Sequence, residues 1–118
     1  MRILIVDDDP PLVDVLALDL HAMGFEVITT TSGVSALEIV ATTWVDVVLT
    51  DFLIWPIDGV ELATRLSVLR PGLPVFLMMG TPRFLLLTPP GIFAGIFEKP
   101  FRLDVLVAAI CETVRRRV

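Results

Sequence analysis

Cysteine occurs once, at Cys111, so no internal disulfide can form, and the chain suits a reducing compartment. Histidine also occurs once. His21 falls near the end of an expected helix with no acid–base partner suggested beside it, and reads as a solvated helix residue. Positive charge is in deficit: 9 Lys and Arg stand against 14 Asp and Glu, for a net charge of -5. That balance argues against a direct nucleic-acid surface. No uninterrupted apolar run is long enough to span a membrane; the nearest candidate, 71–97, is cut by Pro74, Pro82, Pro89 and Pro90. A charged start followed by a long apolar segment is missing too, since Met1 leads straight into an expected strand; no signal peptide is expected, and the location expected is cytoplasmic. Repeats and low-complexity segments are likewise absent.

What remains is an apolar, globular composition, 55% hydrophobic and 19% charged, over 118 residues. The length suits one domain, 1–118, with one core. Short apolar runs alternate regularly with helical periodicity. "RILIV" (2–6), "FEVIT" (25–29), "DVVLT" (46–50), "PVFLMM" (74–79) and "AGIFE" (94–98) read as strands. Between them lie helical patterns over 10–23, 32–41 and 58–70, and a last one over 102–117. The first carries Val13, Leu16, Leu20 and Met23 on one stripe; Asp9 before Pro10 offers a capping side chain, and Gly24 a stop. The third carries Leu62, Leu66 and Leu69, the last Leu103, Leu106, Ile110 and Val114. This alternation predicts an α/β fold: a doubly wound five-stranded parallel sheet with helices on both faces and right-handed crossovers.

In such a sheet, ligands bind beyond the carboxyl ends of the strands. Asp7 and Asp8 follow the first strand, Asp51 the third and Lys99 the fifth, so all four are expected at one edge. Two carboxylates about 5 Å apart at an effective dielectric of about 20 repel by roughly 3 kcal/mol. One lysine cannot offset three carboxylates. A hard divalent cation with room for water ligands can, which suits Mg²⁺. Helix capping explains at most one of these acids and leaves Asp51 and Lys99 unexplained.

"ILIVDDDP", "VVLTDFLIWPIDG" and "EKPF", in that order and spacing, resemble the receiver domain of bacterial two-component response regulators over essentially the whole chain. The resemblance implies a flavodoxin-like sheet of strand order 2-1-3-4-5. It implies that Asp51 accepts a phosphoryl group from a histidine kinase or phosphotransfer protein. Mg²⁺ would be held by Asp8, Asp51 and the backbone carbonyl of Leu53, with Asp7 acting largely through bound water. Lys99 would pair with the phosphoryl oxygens, and the Lys99–Pro100 bond would be cis. No general base is needed, because a carboxylate is already ionised at neutral pH. Output would run through protein–protein contacts, including a homodimer through the face of helix four, strand five and helix five. Beyond this self-phosphorylation and dephosphorylation, no enzymatic activity is expected.

The departures from that pattern are specific. The hydroxyl usual at the end of strand four is replaced by Met79, which cannot donate such a bond. Thr81, two residues on, would reach the site if strand four ended in a bulge. The aromatic usual on strand five is Ile96, and Trp55 stands where a proline is usual, with Pro56 one residue later. Between Arg70 and Glu98 the only charge is Arg83, and Pro89 and Pro90 forbid a long fourth helix. "FLLLTPPGIF" (84–93) therefore predicts a short or irregular segment: either a locally repacked core or an exposed apolar patch. Val105, Val107, Ala108 and Cys111 would widen the apolar face of the last helix. Arg115, Arg116 and Arg117 suit a helix C-terminus.

Other classes fit less well. A Mg²⁺-dependent aspartyl-phosphate phosphatase would want a second Asp where Leu53 stands. A flavin-binding module would want a Ser/Thr-rich loop where "DDDPP" would repel phosphate. The serious rival is a degenerate receiver, acting as a binding or dimerisation module without phosphorylation. Nothing in these residues names the kinase or the downstream target.

Overall fold

The computed structural model describes residues 1–116. Five strands, β1 (Arg2–Val6), β2 (Glu26–Thr30), β3 (Val47–Asp51), β4 (Val75–Met79) and β5 (Gly95–Glu98), form one sheet of order β2-β1-β3-β4-β5. All pairings are parallel. Helices α1 (Pro10–Ala22), α2 (Gly33–Thr42), α3 (Gly59–Leu69) and α4 (Leu103–Arg116) alternate with them, and a six-residue 3₁₀ segment (Pro82–Leu87) replaces a helix between β4 and β5. The prolines foresaw that replacement. Arg117, expected at the end of the last helix, and Val118 lie outside the described residues.

Side-chain alternation along each strand sends successive residues to opposite faces and so builds two cores. Ile3 and Ile5, Val47 and Leu49, and Phe76 and Met78 pack with Val13 and Leu20 of α1 and Leu106 and Ile110 of α4. Leu4, Val6, Val48 and Val75 pack with Ala36 and Val40 of α2 and Leu62 and Leu66 of α3. Val47, Val48 and Leu49 are fully buried, as a central strand between two helical layers requires.

Several local expectations need correction. Met23, which caps the C-terminus of α1, and Leu69, the last residue of α3, are exposed. Asp9 occupies the N-cap position of α1 without capping it; its own N–H donates instead to Asp7 Oδ1 at 3.1 Å. True side-chain caps are Ser32 on α2 and Asp58 on α3, accepting from the N–H groups of Ser35 and Glu61. Asp51 is the last residue of β3, not the first beyond it, paired in register with Met78. Val105, Ala108 and Cys111 are exposed, so α4 is buried along a narrow stripe only.

Truncating a residue of the α1–α4 layer separates packing from surface. Leu106→Ala leaves a cavity under α4 and should cost about 2–4 kcal/mol by urea unfolding, whereas Leu86→Ala, on an exposed side chain, should stay within about 0.5 kcal/mol of the parent.

Candidate functional site

The two cores end together at the carboxyl edge of the sheet, where β1 and β3 lie side by side. Asp7 and Asp51 share the parity of Ile5 and Leu49, and Lys99 shares that of Phe97, which packs in the same core. The sequence thus brings these three side chains to one side of the sheet end. Asp7 is buried, Asp51 partly buried and Asp8 exposed, and each offers a carboxylate oxygen within 4.8 Å of the others.

Lys99 Nζ donates to Asp7 Oδ2 at 2.9 Å and stands 3.5 Å from Asp51 Oδ1. The Lys99 N–H donates to the Met79 carbonyl at 2.8 Å, which fixes the start of the side chain against the end of β4. The Lys99–Pro100 and Trp55–Pro56 bonds are both cis. The Phe52 N–H donates to Asp51 Oδ1 at 3.0 Å, and the Gly59 N–H to the Phe52 carbonyl at 2.9 Å. Gly59 had not been singled out from the sequence. A Cβ there would lie 2.5 Å from the Asp51 carbonyl oxygen, so this close approach of α3 to β3 admits no larger residue. Its signal was present only as the "DG" opening a helical pattern.

The remaining candidates make no side-chain contribution to the carboxylate–lysine cluster. Leu53 is exposed in the loop after β3, and Trp55, in the same loop, is 79% exposed and bridges to Ser32 at the start of α2. Met79 is buried in an apolar cluster with Phe52 and Leu77. The β4–β5 register runs unbroken through Met79 and Glu98, without the bulge on which the reach of Thr81 depended. Thr81 is exposed ahead of the 3₁₀ segment, where its carbonyl accepts from the Phe84 N–H at 3.2 Å. Ile96 is exposed on β5.

Three carboxylates against one ammonium leave the cluster negatively charged. Burial, then the charge of Asp7, raise the Asp51 carboxyl above its ordinary value of 3.8, against the lowering effect of Lys99. Burial alone would lower Lys99, but the hydrogen bond to Asp7 and the charges of Asp51 and Asp7 outweigh it and hold the ammonium above 10.5. The donor set is all oxygen, closely spaced and over-charged, which fits a hard divalent cation that retains water ligands.

A family model described as "Response regulator receiver domain" matches residues 3–111. The chain belongs to the response regulator receiver family. Among curated relatives, the transcriptional regulatory protein GlrR of Escherichia coli is 32% identical over 98% of this chain and 26% of its own length. The response regulator MprA of Mycobacterium leprae is 33% identical over 98% of this chain and 52% of its own. The chain thus spans a quarter to a half of these relatives. Among solved structures, a sensor protein from Polaromonas matches with a TM-score of 0.90 at 25% identity, over 99% of this chain and 98% of that one. The response regulator TrrA of Thermotoga maritima, solved in complex with Mg(2+)-BeF, matches with a TM-score of 0.88 at 24% identity, over 95% and 97%. The receiver fold and strand order read from the motifs are borne out. No helix among the described residues is long and apolar enough to cross a membrane.

The charge imbalance makes a signed prediction. A raised carboxyl pKa means that the folded receiver binds that proton more tightly than the unfolded chain, so ionising Asp51 costs stability. The cost is absent below pH 3.8, grows as pH rises through the folded value and is then constant. Lys99 acts oppositely: its stabilisation is complete below pH 10.5 and is lost as pH rises through its higher folded value. In chelator, Asp51→Asn should therefore be more stable than the parent at pH 7, with the gain vanishing in acid. Mg²⁺ should raise the melting temperature of the parent more than that of the variant and change Trp55 fluorescence; equal shifts would separate Asp51 from the metal site.

Proposed function

We propose that Asp51 is the phosphoacceptor of this receiver, that residues 1–118 act as one such domain, and that the donor is a cytoplasmic histidine kinase or phosphotransfer protein. The observation that carries the reading is the convergence of Asp7, Asp8 and Asp51 within 4.8 Å, with Lys99 held against two of them. Asp8, Asp51 and the Leu53 carbonyl would hold Mg²⁺, with Asp7 acting through a water. When bound, the cation supplies the counter-charge that lets an anionic phosphoryl group approach three carboxylates.

The protein's own groups account for the rest. An Asp51 carboxylate oxygen attacks phosphorus in line; the P–O bond forms as the P–N bond to the donor histidine breaks, and the bonding pair returns to the imidazole nitrogen. Asp51 is ionised at neutral pH, so no base is required. Lys99 brings a compact charge on a flexible stem to the transferred oxygens. Asp7 orients that charge by its 2.9 Å hydrogen bond. Gly59 keeps the β3 end and the α3 start in contact, which sets the depth of Asp51. The donor's approach lies along α1, where a groove of about 360 Å³ opens beside Asp7 and Lys99, lined by Leu12, Leu16, Met78, Phe101 and Leu103. Outward signalling would use the face of the 3₁₀ segment, β5 and α4, including a homodimer; there Leu86 is 90% exposed.

A second reading, a receiver that binds partners without phosphorylation, is favoured by Met79 and Ile96, which remove the usual hydroxyl and aromatic. Incubation with acetyl phosphate and Mg²⁺, followed by intact mass, decides between them. One added phosphoryl group is expected on the parent, none on Asp51→Asn, and uptake slowed about tenfold or more on Lys99→Ala, the loss of one charge-stabilising contact. No uptake by the parent would favour the second reading.

A further inference from the structure

The receiver reading leaves a gap between Asp51 and the outward face, because neither Met79 nor Ile96 can carry the usual hydroxyl–aromatic exchange. The structure contains a different connection. Phe52 follows Asp51 directly, and its N–H is shared between the Met78 carbonyl at 2.9 Å and Asp51 Oδ1 at 3.0 Å. The backbone of Phe52 therefore senses both the end of the sheet ladder and the charge on the acceptor carboxylate. Its ring is buried against Leu77 and Met79 and lies flat on the ring of Phe84, with centroids 4.3 Å apart and planes within 2°.

Phe84 belongs to the 3₁₀ segment, and of that segment's six residues it alone is not exposed. Leu85, Leu86 and Leu87 beside it are 50%, 90% and 65% exposed. The segment's ends are held by local bonds, from the Phe84 N–H to the Thr81 carbonyl and from the Thr88 N–H to the Leu85 carbonyl, with the Thr88 hydroxyl donating to the Phe84 carbonyl at 2.7 Å. So the apolar segment is pinned to the body chiefly through one ring, and that ring rests on the neighbour of the acceptor.

We propose that the Phe52–Phe84 stack is the link by which the state of Asp51 sets the position of the 3₁₀ segment and its exposed leucines. The inference rests on Asp51 being the acceptor. Phosphorylating the carboxylate, or capping it with beryllofluoride, weakens Oδ1 as an acceptor, and the shared Phe52 N–H shifts toward the Met78 carbonyl. The ring follows its backbone, and Phe84 must re-seat or part from it. This is a contact that differs between the two states, which is what moving an equilibrium requires. Phe84 here is a positioning residue; it touches no reacting atom.

The test uses hydrogen exchange of 82–88 with Mg²⁺ alone and with Mg²⁺ plus beryllofluoride, while ¹⁹F NMR reports bound beryllofluoride independently. In the parent, exchange in this segment should change by about fivefold on loading. Phe84→Leu should bind beryllofluoride yet lose most of that change, and Phe84→Tyr, which keeps the ring, should restore it. If Phe84→Leu fails to fold, Phe84→Met provides the same ring deletion. An unchanged response in a loaded ring-deleted variant, or no response in the loaded parent, overturns the link. Absence of bound beryllofluoride in the parent instead overturns the acceptor assignment and the link with it.

Discussion

Mutual repulsion of Asp7, Asp8 and Asp51 is the constraint on which the carboxyl end of this sheet depends. The hydrophobic cores would be content with any apolar residues at the strand ends. They receive acids instead, one of them buried, and the fold offsets the cost with Lys99 delivered from β5. That compensation is incomplete, which leaves Asp51 with a raised pKa and the site short of positive charge. A site in that condition favours whatever brings positive charge to it, and the same shortage disfavours an anionic group unless a cation accompanies it.

The two layers of the molecule divide this task. The layer of α1 and α4 supports Asp7, Asp51 and Lys99, because these share strand parity with Ile5, Leu49 and Phe97. The opposite side holds Phe52, Leu77, Met79 and Phe84, an apolar cluster beneath the 3₁₀ segment. Asp51 and Phe52 are adjacent, so alternation sends one into the electrostatic site and the other into the apolar cluster. The peptide between them joins the electrostatic site to that cluster. Replacing a hydroxyl by Met79 changes what lies along that path from polar to packed.

Fold class and most of the site were legible in the residues because both rest on local periodicity and on where strands end. Apolar runs of strand length between helical stripes dictate a parallel sheet, and a carboxylate or lysine at the end of such a run must emerge at the same edge. The segment between β4 and β5 was legible as irregular because Pro89 and Pro90 forbid continuation whatever surrounds them. Less legible were positions whose role depends on a distant neighbour. Gly59 matters because the Asp51 carbonyl lies where its side chain would be, and Asp9 holds the N-cap position of α1 without a side-chain cap bond, while its N–H donates to Asp7.

The sequence by itself determined the strand–helix order, the two-sided core and the identity of the acidic edge, since these follow from side-chain chemistry repeated at short spacing. Only the tertiary structure decided which acid Lys99 holds most closely, that Met23, Leu69 and Cys111 face outward, and that Phe52 and Phe84 meet as parallel rings. Those outcomes depend on where separate elements come to rest against each other. Residues 32 positions apart in the chain meet only once β3, β4 and the 3₁₀ segment are packed together, and no local pattern encodes that distance.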